Sequence, residues 1–239
     1  MKIPFLTGMP GEPLPYSLHA DWMVTTLLFV CILLTTIAFS KEEKYLLHRL
    51  KSSLMNRNRA SMFDEVTATD VRYTSLLVLH TCMLLGLCIY HYYTQAMPSI
   101  LEKTASPYLL GGAILLVLLL FISKWALYGF INWVFFQKDR NLAWITSFFN
   151  LFIWLGIFLL PVILVIVYFD ISSQTSLYLV GFLIIFAKIS LFWKCFSNFF
   201  EKIHGSFHLI LYFCALEILP DLIFWKGIEL VNNNLILNL

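Results

Sequence analysis

The sequence predicts an all-α, polytopic membrane protein that crosses the bilayer six times and keeps its N-terminus and C-terminus both outside the cytoplasm. Three observations predict this fold class. Hydrophobic residues make up 60% of the 239 residues and charged residues only 13%, whereas soluble domains are about 45–50% apolar and about 25% charged. Six apolar stretches are long enough to span a bilayer, and basic residues concentrate in alternate loops. We therefore expect a single integral-membrane helical domain over residues 1–239.

The six predicted helices follow from the length of the apolar stretches, because a helix needs about 20 mostly apolar residues to cross the hydrocarbon layer. A backbone in lipid must also satisfy its own hydrogen bonds, which favours helices, and barrel strands would instead alternate in segments of about ten residues. We place the six helices at residues 22–39, 74–93, 108–136, 142–169, 176–196 and 207–225.

Lysine and arginine residues set the predicted orientation, because cytoplasmic loops carry an excess of basic residues. The first, third and fifth loops hold eleven of them: Lys41, Lys44, Arg49, Lys51, Arg57, Arg59, Arg72, Lys138, Arg140, Lys194 and Lys202. The opposite side holds three: Lys2, Lys103 and Lys226. The odd-numbered loops are therefore expected in the cytoplasm, and residues 1–21 form an outside N-terminal segment.

The first cytoplasmic loop, residues 40–73, is the only sizeable predicted segment outside the membrane on that side. Leu46, Leu50 and Leu54 recur on one helical face, with basic residues mostly elsewhere. This pattern favours a basic amphipathic helix on anionic lipid headgroups. The alternative is a cytoplasmic extension of the first helix. The mixed charges of the loop do not form a nucleic-acid-binding surface.

Three ionisable side chains fall deep inside predicted helices, where a charge is costly and by default indicates a functional site. Lys124 lies in the third helix, Lys188 in the fifth and Glu217 near the centre of the sixth. Either lysine is a candidate partner for Glu217. The pair then fixes helix register, handles protons or ions, or is completed by the charge of another membrane subunit.

Two neighbours of Glu217 add to this candidate site. Pro220 lacks a backbone N–H and crowds the carbonyl of Leu216, so the sixth helix should kink there. Asp221 is expected close to the outer interface and partly solvated, which makes it a secondary candidate. His80 in the second helix is expected to be a buried, hydrogen-bonded histidine, because no other helix supplies the second histidine that haem ligation needs.

A weak candidate metal site lies where the sixth helix begins. Glu201, His204 and His208 have spacings that gather one carboxylate and two imidazoles if they share a helical face. Gly205 and the helix boundary make that shared face doubtful. No nucleotide-binding loop, nucleophile elbow or zinc-protease motif is present. We therefore expect no metal and no cofactor.

The C-terminal run "HLILYFCALEILPDLI" resembles the closing signature of a membrane family of Bacteroidota, the domain-of-unknown-function 4271 family. The stretch "GEPLPYSLHADW", the basic first loop and the lysine in the third helix are also similar to that family. The resemblance implies a bacterial inner membrane with a periplasmic outer face. It places Glu217 and Pro220 at the centre of the motif and Tyr212 and Cys214 on the preceding turn, whereas Asp221 departs from the expected apolar residue.

Small loops and the lack of an enzyme motif or an inverted repeat favour a non-catalytic subunit or accessory factor of a cell-envelope membrane complex. Its expected partners are the lipid bilayer and another membrane protein or a second copy of the chain. A small proton- or ion-coupled carrier that uses Glu217 with an intramembrane lysine is the first alternative. A membrane enzyme that acts on a lipid through Glu201, His204 and His208 is the second.

Overall fold

The computed structural model describes residues 18–54, 68–96, 106–135, 138–199 and 212–237, and the prediction of an all-α protein is confirmed for these ranges. A short 3₁₀ turn, Leu18–Ala20, precedes the first helix. The longer helices are α1 (Trp22–Leu54), α2 (Ala68–Ala96), α3 (Ser106–Phe135), α4 (Lys138–Tyr168), α5 (Ser173–Phe199) and, after a π-helical segment at Cys214–Ile218, α6 (Leu219–Leu237).

Five of the described helices are long and apolar enough to span a membrane. Their candidate spans are Trp22–Ser40, Val71–Gln95, Pro107–Val134, Trp144–Tyr168 and Ser173–Phe196. The sixth predicted span, residues 207–225, begins outside the described residues, and its described part runs through the π-helical segment into α6. The structure therefore describes a multi-pass helical protein with five candidate spans.

Polar contacts show that α1 runs antiparallel to both α2 and α4. Asp21 caps the start of α1 by accepting a hydrogen bond from the Met23 backbone, and the hydroxyl of Tyr90, near the end of α2, donates to the same carboxylate at 3.2 Å. His19 pairs with Asp170, just after α4, at 3.2 Å. We call this face of the bundle the Trp22 end and the opposite face the Phe135 end.

Helix α2 lies at the centre of the bundle, since it packs against α1, α3, α4 and α5. Its interior face buries Leu84, Leu87 and Tyr90 completely or nearly so. Two glycines permit close approach: Gly86 faces the backbone of Ile114 on α3, and Gly156 on α4 faces a threonine of α2. These contacts make α2, α3 and α4 a tightly packed core against which the remaining helices lie.

The first helix continues well beyond its membrane span. Helix α1 runs without a break from Trp22 to Leu54, although its candidate span ends at Ser40. The backbone thus follows the second of the two alternatives for residues 41–54, an extension of the first helix. Binding of these residues to anionic lipid headgroups stays a prediction.

A charged cluster at the base of an apolar cavity

Four charged side chains from three helices meet inside the bundle, and we call them the charged cluster: Lys124 on α3, Lys188 on α5, Glu217 on the π-helical segment and Asp221 on α6. Lys124 Nζ lies 3.0 Å from Glu217 Oε1 and 2.7 Å from Asp221 Oδ1. Lys188 Nζ also contacts Glu217 Oε1 and lies 2.8 Å from Asp221 Oδ2. Each lysine therefore bridges both carboxylates.

Glu217 is the most enclosed member and also the best hydrogen-bonded one. Its side chain is only 3% exposed, and that of Lys124 is 4% exposed. The hydroxyl of Tyr128, which is buried one turn after Lys124 on α3, donates to Glu217 Oε2 at 2.7 Å. Both carboxylate oxygens thus have donors, which a buried charge requires if its desolvation is to be offset.

The π-helical segment also brings one of its own backbone carbonyls into the cluster. The N–H of Leu219 donates to the carbonyl of Cys214, five residues earlier, in place of the α-helical partner. Pro220 follows at once and has no N–H to donate, so the regular ladder is already interrupted there. The carbonyl of Glu217 accepts a hydrogen bond from Lys124 Nζ at 3.2 Å. The helix distortion predicted beside Glu217 takes the form of a π-helical segment.

The charges of the cluster balance, with two ammonium groups against two carboxylates. In the low dielectric of a membrane interior, a balanced and hydrogen-bonded group is tolerated, whereas removing one member leaves an uncompensated charge. Burial is uneven across the cluster. The side chains of Lys188 and Asp221 are 33% and 39% exposed, so one half of the cluster is sealed and the other half is accessible.

The accessible half faces a cavity of about 820 Å³, whose volume falls within the range of about 300–1,000 Å³ that is typical of small-molecule sites. All four members of the charged cluster line it, and the rest of the wall is mainly apolar side chains of α2, α3, α4, α5 and α6. Residues Ser176, Val180, Ile184 and Lys188 place α5 along its length. The cavity therefore extends from the charged cluster towards the Trp22 end.

A second, neutral polar group lines the cavity at the Trp22 end. His91 Nε2 on α2 and Ser176 Oγ on α5 lie 3.1 Å apart, and both side chains are buried. The Ser173 backbone N–H donates to the side-chain oxygen of Gln95 nearby. These contacts close α2 against α5 at that end. Glu229 of α6 also lines the cavity, apart from the charged cluster.

The profile of a protein family described as a domain of unknown function, DUF4271, matches residues 24–228. The chain belongs to the DUF4271 family. The predicted resemblance is thereby confirmed, and the match contains the whole charged cluster. No curated protein matches the chain. No solved structure matches it either.

In this DUF4271 chain the structure brings the primary site candidates together. Both Lys124 and Lys188 contact Glu217, so the two predicted partners are not exclusive. Asp221 joins them, because its carboxylate binds both lysines, and its side chain is 39% exposed. Its position close to the outer interface stays a prediction. Asp221 lies one helical turn after Glu217, on the same face of the helix.

The secondary candidates of the DUF4271 chain lie away from the charged cluster or beside it. His80 is fully buried and its Nε2 lies 3.1 Å from the Thr35 hydroxyl, which itself donates to the carbonyl of Cys31. The hydroxyl of Tyr212 donates to Asn132 Oδ1 at 2.6 Å, and its ring lies 6.4 Å from that of Tyr128. Tyr212 therefore packs beneath the cluster towards the Phe135 end.

The candidate metal ligands Glu201, His204 and His208 lie outside the described residues. Among the residues that the structure describes, no group of three or more histidine, cysteine, aspartate or glutamate side chains is arranged to hold a metal ion. The described cysteines are not joined in disulfides. The chemistry of the described part is therefore that of the charged cluster and its cavity.

Sequence reasoning missed Tyr128 and Asn132, although a signal for both was present. They follow Lys124 at spacings of four and eight residues on α3, and residues four apart lie on one helical face. A lysine deep in a membrane helix therefore marks the face on which further polar side chains should be sought. Tyr128 completes the hydrogen bonding of Glu217, and Asn132 that of Tyr212.

Replacing Tyr128 with phenylalanine should lower the free energy of unfolding by about 1.5–3 kcal/mol, the size expected for a hydrogen bond to a charged group. The ring and its packing against Trp144 remain, and only the donor to Glu217 Oε2 is lost. Thermal unfolding of the purified variant in detergent measures the loss. Tyr178→Phe, at an exposed tyrosine of α5, is the matched control and should unfold like the wild type.

Proposed function

We propose that this DUF4271 protein is a six-helix bacterial inner-membrane protein with both termini on the periplasmic side. Five candidate spans and the distribution of basic residues support the proposal. The helical run from Tyr212 onwards supports a sixth crossing, because it carries the apolar sequence of the predicted helix. On this proposal the Trp22 end faces the periplasm, and the charged cluster lies at the cytoplasmic end of the cavity.

The function that the geometry supports best is that of a small proton- or ion-coupled carrier in which the charged cluster is the coupling site. One observation carries this proposal: a cavity of about 820 Å³ reaches Glu217, Lys124, Lys188 and Asp221. A cluster that only fixed helix register would gain from close packing on every side, since water-filled or empty space beside it adds no contact.

The arrangement is suited to coupling because its charges balance only as a set. Protonation of a carboxylate, or the arrival of a charged solute, removes the balance and changes which lysine each carboxylate binds. Lys188 and Asp221 are the half-exposed members, and they contact each other as well as the sealed half. They link α5 to α6, and a shift between these helices is the expected response.

Replacing Glu217 with glutamine should abolish proton movement into proteoliposomes while leaving the helical fold intact. Vesicles loaded with a pH-sensitive dye are given a membrane potential, with and without a small-molecule extract of the native cells outside. Wild-type protein is expected to acidify the lumen faster than protein-free vesicles, and the variant to match them. Circular dichroism checks the fold of each preparation.

Asp170→Asn is the matched control for the carrier test, because Asp170 lies in the turn after α4 and pairs with His19, remote from the cavity. Its φ of 46° is a left-handed conformation that asparagine adopts readily. This variant should move protons like the wild type. Wild-type vesicles that acidify no faster than protein-free ones, in either medium, would refute the carrier proposal.

A subunit or accessory role in a cell-envelope complex is the second candidate, and the half-exposed Lys188 and Asp221 favour it. A charged side chain on a helix of another membrane protein could then pair with Lys188 or Asp221. Extraction of the protein from native membranes distinguishes the subunit from the carrier. A subunit should leave native membranes in mild detergent together with its partner, whereas a carrier that works alone should run as a monodisperse particle.

A further inference from the structure

Among the acceptors that the described residues supply, one donor of the charged cluster, an N–H of Lys188, is left without a partner. An ammonium group has three N–H donors. Those of Lys124 meet three acceptors: the Glu217 carbonyl, Glu217 Oε1 and Asp221 Oδ1. In the described part of the chain, Lys188 Nζ meets only two acceptors, Glu217 Oε1 and Asp221 Oδ2. Its side chain is 33% exposed and lines the cavity.

The rest of the cavity offers an unusually apolar path away from this donor. From Lys188 to Ser176 the lining face of α5 contributes Ile184, Gly181 and Val180, with no further charge. The twelve residue-to-residue steps from Ser176 to Lys188 correspond to about 18 Å along a helix axis. Opposite them, α3 and α4 contribute residues such as Leu120 and Leu155. One end of a bound molecule thus meets the ammonium group of Lys188, and the remainder meets a mainly apolar wall that also includes Glu229 of α6 and the His91–Ser176 pair.

We infer that the cavity binds a single-chain amphiphile with an acidic head, whose carboxylate or phosphate oxygen accepts from Lys188 while its chain lies along α5. The inference rests on the proposed function, because it takes the cavity to be the solute site, and it names the class of solute. A chain of this kind buries apolar surface along the cavity, and an oxygen of its head accepts the remaining N–H of Lys188.

Gly181 provides a way to block the cavity without touching the charged cluster. It lines the cavity, and a Cβ at this position meets no atom within 4 Å. A phenylalanine there fills the space that the chain needs. Gly129 on α3 is the matched control, because it is also partly buried, its Cβ also meets no atom within 4 Å, and it does not line the cavity.

The test uses the full-length protein in nanodiscs and displacement of a fluorescent polyene fatty acid. The probes are oleate, farnesyl phosphate, oleyl alcohol and acetate, so that a carboxylate head, a phosphate head, a neutral head and a missing chain are compared. Oleate, farnesyl phosphate or both should displace the reporter. Oleyl alcohol should be weaker by about tenfold or more, because its neutral hydroxyl accepts a weaker hydrogen bond from Lys188 than an ionised head does, and acetate should not compete.

Two variants decide where the probe binds. Gly181→Phe should abolish binding while Gly129→Phe retains it, and Lys188→Gln should weaken oleate by about tenfold but leave oleyl alcohol unchanged. The inference is overturned if neither acidic probe binds, if the alcohol binds as tightly as the acid, or if Gly181→Phe binds like the wild type. If the acidic probes bind but the vesicles show no proton movement, the carrier proposal is refuted and this inference is not. If protons move but no acidic probe binds, this inference is refuted and the carrier proposal is not.

Discussion

Replacing Lys124 with methionine is expected to lower the free energy of unfolding by about 3–5 kcal/mol, the usual cost of removing one partner from a buried ion pair. Lys124 is 4% exposed and donates to three oxygens of Glu217 and Asp221. Methionine keeps much of the side-chain volume but supplies no donor. The sealed carboxylate of Glu217 then depends on Lys188 and Tyr128 alone. Thermal and denaturant unfolding in detergent measure the loss.

Two further variants show whether the loss comes from the charge. Lys226→Met removes an ammonium group that is 76% exposed and pairs with Glu229 on the surface of α6, so it should change stability by less than about 0.5 kcal/mol. The double variant Lys124→Met with Glu217→Gln removes both buried charges and should recover part of the stability lost by Lys124→Met. Losses that simply add would contradict a coupled pair.

The position of the charged cluster could be predicted in part because depth in a membrane follows from position along a helix. Lys124 and Glu217 both fall near the middle of apolar stretches, and this placed them at similar depth. Asp221 was ranked only as a secondary candidate because its distance from the interface was weighed and its helical face was not. It lies four residues after Glu217, so the face that binds one carboxylate also presents the other.

The cavity could not be predicted, because its lining residues have the same composition as a packed core or a lipid-facing surface. On α5, Val180 and Ile184 line the cavity, whereas Phe182 and Ile185 are exposed on other faces. All four are apolar, and only the positions of the neighbouring helices decide which of them borders open space. The hydrophobic pattern predicts that α5 is a membrane helix and carries no information on which face has a partner.

The helix boundaries show a related limit. Hydropathy predicts where the apolar residues of the first helix end, and the candidate span does end at Ser40. The helix itself continues to Leu54, because backbone hydrogen bonding needs only residues with adequate helix propensity, such as the lysines, glutamates and leucines that follow. The π-helical segment is a similar case, since Pro220 predicts a distortion but not its geometry.

The close approach of α2 to its neighbours should make Gly86→Ala and Gly156→Ala destabilising, by about 1–3 kcal/mol each. A Cβ on Gly86 would lie 2.9 Å from the Cα and 3.0 Å from the backbone nitrogen of Ile114. A Cβ on Gly156 would overlap the hydroxyl of Thr81 and lie 2.9 Å from its Cβ. Unfolding in detergent measures both, with Gly112→Ala, where no atom lies within 4 Å, as the unaffected control.

The two glycines should respond differently to a second substitution, because one meets backbone and the other meets side chain. Adding Ile114→Ala to Gly86→Ala removes the Cγ1 contact at 2.6 Å but leaves the clash with the Ile114 backbone, so α2 and α3 must still separate. Adding Thr81→Ala to Gly156→Ala removes the hydroxyl and the methyl at 3.1 Å, and part of the lost stability should return. Equal rescue at both sites would mean that backbone contact does not set the α2–α3 distance, and that side chains hold these helices apart.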